Sequence, residues 1–112
     1  MFGFQQLDVY RCAVKALGAA APLADRMPKG FASLGDQLRR AALSVPLNIA
    51  EGNGRIGGGA AQHDGIARGS ALECAAIVDA CEALGIATKD ELAGLRELLE
   101  RVVSMLTKMA LK

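Results

Sequence analysis

Apolar residues recur at steps of three and four in four separate stretches of this chain, and that spacing restricts the fold to packed amphipathic helices. In the first stretch, about Phe4 to Ala24, the stripe is Leu7, Tyr10, Val14, Leu17 and Ala21, with Pro22 and Pro28 punctuating its end. The second, about Phe31 to Asn53, carries Leu34, Leu38, Ala41, Val45 and Ile49. Pro46 removes one backbone donor within it, so one bent helix is expected. A glycine-rich connection, Gly52 to Gly59, leads to a third helix from about Ala60 to Leu84, apolar almost all round between Ala71 and Ala80. Such a helix needs neighbours on several sides. Gly85 and Ile86 stop it, and Thr88 with Glu91 three residues on makes a capping box for the fourth helix. The seam of that helix is Leu92, Leu95, Leu99, Val102, Leu106 and Met109.

Composition agrees with helices. Apolar residues make up 52% of the 112, yet aromatics are 4% and Trp is absent, so the core is built from Ala, Leu, Val and Ile. That palette favours closely packed helices over sheets. The length suits one domain, residues 1–112, and short connections make consecutive helices antiparallel neighbours. The expected fold is therefore all-α, an antiparallel up-down-up-down four-helix bundle. No apolar run reaches the roughly 18 residues that span a bilayer, and the N-terminus lacks a basic segment followed by an apolar one. A cytoplasmic protein without membrane contact is expected, and Cys12, Cys74 and Cys81 fit a reducing compartment as small buried hydrophobes.

Signals of chemistry are sparse. Gly52, Gly54 and Gly57 spell G-x-G-x-x-G, but that motif binds dinucleotides only after a strand, and here a helix precedes it. The same loop, with Arg55 beside it, offers backbone donors to an anion, against the plainer reading of a flexible connection. His63 is the lone histidine and no Cys-x-x-Cys is present, so neither a metal site nor a nucleophile–base pair is indicated, and no cofactor is expected. His63 itself is read as a surface residue.

Two strings are more specific. The second helix reads QLRRAALSVPLNIAEGNGR from Gln37 to Arg55, and the third contains IARGSALE from Ile66 to Glu73, followed by ALGI from Ala83 to Ile86. These resemble the four-helix-bundle family of the 23S rRNA-intervening sequence proteins, first noticed as reading frames inside bacterial large-subunit ribosomal RNA intervening sequences. The resemblance covers most of the chain. It implies a closed bundle that assembles with copies of itself as a ring, typically a pentamer, with no known catalytic activity. Relatives include the accessory protein of diversity-generating retroelements, which is strongly basic and binds nucleic acid and its reverse transcriptase. This chain departs from the pattern at Asp64 and Gly65, which stand where a bulky apolar pair is usual, and at Gly57 to Gly59, which replace a polar helix start.

On the second helix Gln37, Arg40, Ser44, Asn48, Glu51 and Arg55 share one face, as Ser70 and Glu73 do on the third. A buried carboxylate is costly unless paired. Glu73 or Glu51 is therefore expected to meet Arg40 and Asn48 in a polar layer with Ser44 and Ser70, and that layer is expected to fix helix register rather than perform chemistry. An interior small-molecule or metal enzyme using Glu51, Glu73 and Arg40 is the remoter reading. Val9, Ala13, Ala16 and Ala20 on the first helix, and Leu98 and Met105 on the fourth, widen the apolar surface beyond the core stripes and suggest subunit contacts.

Net charge is +1, with +3 on residues 1–55 and −2 on residues 56–112, which is no nucleic-acid signature. The expected function is that of a non-enzymatic, ring-forming accessory or assembly protein. The alternative is a binder of RNA or DNA, or a partner of a nucleic-acid-processing protein, acting through a basic face of helices 1 and 2 made by Arg11, Lys15, Arg39 and Arg55.

Overall fold

The computed structural model describes residues 1–111. A 3-10 turn, Gly3–Gln6, precedes four helices: α1 (Asp8–Asp25), α2 (Ala32–Asn53), α3 (Ala60–Ala83) and α4 (Lys89–Ala110). Each helix packs on its neighbours in sequence, and α1 also packs on α4, so the four close into a ring of neighbours around one core. The body measures 46 × 24 × 22 Å. No helix among the described residues is long and apolar enough to cross a membrane.

Local chemistry sets the boundaries. The first segment is not one helix from Phe4: Leu7 is extended at φ −74°, ψ 129°, and separates the 3-10 turn from α1. Pro22 does not end α1 but lies in its last turns, which run on to Asp25. Helix α2 continues through Pro46 to Asn53. Helix α3 closes in a Schellman motif, with Ile86 N–H on Cys81 O at 2.9 Å and Gly85 N–H on Glu82 O at 3.0 Å. Gly85 sits at φ +73°, the left-handed conformation that glycine adopts at least cost. Thr88 then caps α4 as expected, its hydroxyl accepting from Glu91 N–H at 3.2 Å while Glu91 accepts from Thr88 N–H at 2.9 Å.

The core holds Leu38, Ile49, Val78, Val102 and Leu106 fully buried. Burying a side chain of this kind contributes about 1.5–3 kcal/mol. The seam expected on α4 is buried from Leu92 to Leu106, with Met109 left exposed at the end. On α1 the expectation is overturned. Its buried face is Val9, Cys12, Ala13, Ala16, Ala20, Leu23 and Ala24, while Leu7, Tyr10 and Leu17 pack only at the edge and Val14 is exposed. Small side chains let α1 approach α2 and α4 closely, whereas the larger ones fill the rim. Val9, Ala13, Ala16 and Ala20 are thus core, not spare surface for a partner, and Leu98 and Met105 lie half-buried against the same core.

The three cysteines are free and buried. Burial pushes the Cys74 thiol up to about 12, with Glu73 adding to the shift, so it is an inert core residue.

Candidate functional site

The polar side chains of α2 are gathered where it faces α3. Ser44, Asn48 and Glu51 follow one another at steps of four and three, hence on one side of the helix, and Arg55 lies just past its end. Helix α3 answers with His63 and Ser70, seven residues apart and so also on one side.

The bonds form a continuous chain. Ser70 Oγ donates to Ser44 Oγ at 2.9 Å. Asn48 Nδ2 donates to Ser44 O at 2.9 Å and to Ser44 Oγ at 3.1 Å. With its amide nitrogen so used, Asn48 turns Oδ1 toward His63 Nδ1 at 3.0 Å. An acceptor there assigns the proton to Nδ1. The other ring nitrogen, Nε2, then carries a lone pair, and it faces Arg55 Nη2 at 3.1 Å. A guanidinium only donates, so it is this lone pair that Arg55 meets. Arg55 Nη2 also donates to Glu51 Oε1 at 2.8 Å, and that carboxylate lies 3.8 Å from His63 Nε2.

His63 is therefore the hub of the cluster. Its side chain is 14% exposed, and both nitrogens are engaged. The reading of His63 as a surface residue is corrected, and the i, i+7 relation to Ser70 was the signal available for it. Close approach of the two helices makes the cluster reachable: a Cβ added to the buried Gly52 would lie 3.0 Å from His63 Cβ and 3.3 Å from Ala60 O. No bond of the cluster aims a serine hydroxyl at the histidine.

The remaining members of the expected layer lie elsewhere. Arg40 and Glu73 are exposed and take no part in the chain, and Glu51, also exposed, meets Arg55 rather than Arg40. Among the described residues no polar or charged side chain is fully buried, so no buried carboxylate demands a partner. Exposure lets Glu73 and Arg40 keep their hydration, which removes the reason they were expected to pair.

The four candidate phosphate contacts are dispersed. Arg39 is held by Asp25 and, at 3.1 Å, by Asp36. Arg55 is held by Glu51. Arg11 donates from Nε to Gln5 O at 3.0 Å, and Lys15 is exposed. Burial pushes the Cys12 thiol up, while Arg101 of α4 and Lys15 pull the other way.

Two comparisons bear on the chain as a whole. The family model described as 23S rRNA-intervening sequence protein matches residues 5–108. No protein with curated annotation matches the chain.

Proposed function

The chain belongs to the 23S rRNA-intervening sequence protein family, and from that premise we propose that it is a non-enzymatic accessory or assembly subunit working as a homo-oligomeric ring, the pentamer that the resemblance implies. The protomer is an up-down-up-down bundle in this reading. Paired residues of neighbouring helices support that topology, because their numbers run in opposite senses: Ser44 with Ser70 and Asn48 with His63, Arg96 with Asp79 and Arg68 with Thr107, Arg26 with Glu91 and Cys12 with Leu98.

The observation that carries the ring is the set of large apolar side chains that α2 and α3 leave exposed. Leu43 and Leu47 of α2 and Ile66 and Leu72 of α3 are between 44% and 56% exposed, with Leu72 in the groove that Arg96 and Glu100 of α4 also line. Helix α3 adds Gly65, Gly69 and Ala76 at exposed positions, and the exposed charges of the two helices include Arg40, Glu51 and Glu73. The outer positions of α4 are by contrast Glu97, Arg101, Ser104 and Lys108. Large apolar side chains left exposed in this number mark interaction surfaces. Closing a ring requires two different patches on each subunit. The second is the groove of about 480 Å³ between α1 and α4, walled by Ala19, Pro22, Leu23, Leu95 and Leu98, on the side of the bundle away from α2 and α3.

The test is the native mass of the purified protein and of Leu47→Glu. The wild type is expected at five times the 11.6 kDa chain mass, and the variant as a helical species of lower mass. A wild type that stays at one chain mass overturns the ring; a variant of unchanged mass overturns the assigned face. The nucleic-acid reading has less support, since ion pairs hold Arg39 and Arg55. A salt-steep affinity of the same sample for RNA or duplex DNA would promote it.

A further inference from the structure

Where α2 ends, α3 begins and α4 ends, two cavities of about 240 and 340 Å³ share Ala60, Asp64 and Met109 in their walls. The larger falls within the roughly 300–1,000 Å³ typical of small-ligand pockets. Leu106 and Met109 give it an apolar wall. It is roomy on the α3 side, because nothing lies within 4 Å of the place a Cβ would take at Gly65.

Two opposite charges line this cavity, Asp64 and Arg68. They are four residues apart on one helix, the spacing at which a carboxylate and a guanidinium ordinarily pair. Among the described residues no ion pair joins them. Arg68 is tethered instead: its Nε donates to Thr107 Oγ1 at 2.9 Å, and the Thr107 hydroxyl donates to Val103 O at 2.7 Å. Fixing Nε fixes the guanidinium plane and leaves the two Nη groups as a fork for a planar anion. Asp64 is half-buried over Gly52, and burial pushes its carboxyl up from the ordinary value, with His63 pulling in the other direction. A half-buried carboxylate that no side chain among the described residues joins in an ion pair offers a place for a cation.

The two charges together narrow the ligand. A lone anion at Arg68 would sit against Asp64, and a lone cation at Asp64 against Arg68. A zwitterion satisfies both, and the apolar wall suits a hydrocarbon side chain. We propose that this cavity binds a free aliphatic α-amino acid, its ammonium on Asp64, its carboxylate on the Nη fork of Arg68 and its side chain against Leu106 and Met109. The site uses none of Leu43, Leu47, Ile66 and Leu72, so it stands whether or not the ring forms.

Calorimetric titration of the intact protein with L-leucine, isoamylamine and 4-methylpentanoate tests it. L-leucine is expected to bind saturably, and each single-charge analogue at least about tenfold more weakly, a difference of about 1.4 kcal/mol. Asp64→Asn and Arg68→Met, checked for native helix content by circular dichroism, are each expected to weaken L-leucine by at least the same factor. No saturable binding of L-leucine, or either analogue binding as tightly, overturns the proposal without reference to any variant. Unchanged affinity in both folded variants overturns it as well.

Discussion

Glu91 accepts from two directions at once. Its Oε1 takes Thr88 N–H at 2.9 Å and its Oε2 takes Arg26 Nη1 at 2.8 Å, so one side chain caps α4 and ties its first turn to the end of α1. Arg26, then Thr88, hold its carboxyl at about 2, below the ordinary 4.5. A carboxylate whose native value is depressed stabilises the fold fully above 4.5 and loses that contribution as pH falls toward 2. Glu91→Gln keeps the capping geometry and removes the charge. The urea midpoint of wild type is therefore expected to exceed that of the variant at pH 7, with the gap closing between pH 4.5 and pH 2. A gap independent of pH would show that the charge contributes nothing. The capping box was legible in the sequence because its partners are three residues apart and need no tertiary information. His63 was not, since its bonds to Asn48 and Arg55 exist only once α3 turns that face to α2. The expected pairing of Glu73 and Arg40 failed for a related reason: sharing a face with Ser70 or Ser44 does not fix how deep a side chain lies, and both are exposed.

At the scale of elements, periodicity located all four helices but mistook the inner face of one. Helix α1 has apolar residues in two overlapping frames, a bulky one through Leu7, Tyr10, Val14 and Leu17 and a small one through Val9, Ala13, Ala16 and Ala20. Side-chain size favours the first as core, whereas the packing distance favours the second, and only the second is buried. Close approach is sharpest at Gly35 of α2, where an added Cβ would lie 2.8 Å from Ala24 O and 3.0 Å from Met27 Cγ. Within a helix, glycine to alanine ordinarily stabilises by about 1 kcal/mol. That gain is expected for Gly18→Ala on α1, where nothing lies within 4 Å of the new Cβ. For Gly35→Ala the sign reverses, because a backbone carbonyl cannot yield without shifting α1, and overpacking of this sort costs about 1–3 kcal/mol. Thermal melts of the two variants beside wild type should therefore move in opposite directions, and a Gly35→Ala protein as stable as Gly18→Ala would mean that α1 and α2 are farther apart than described.

For the molecule as a whole, a core of small side chains leaves much of the larger apolar surface outside. Leu43, Leu47, Ile66 and Leu72 remain exposed in the protomer, and so does Val14 on α1. The sequence made an apolar excess visible, yet assigned it to α1 and α4, because periodicity counts apolar residues without saying which of two faces the neighbours cover. With the excess on α2 and α3, burial of that face between copies contributes to folding only when copies meet. Mass action then makes stability depend on concentration, since anything that binds the native protomer and not the unfolded chain stabilises it. The apparent melting midpoint of wild type is expected to rise steadily across a hundredfold increase in protein concentration, whereas that of Leu47→Glu should stay constant and coincide with wild type at the dilute end. A midpoint independent of concentration in both proteins would mean that the face contributes nothing to folding, and a rise of equal size in both would place the contact between copies away from Leu47.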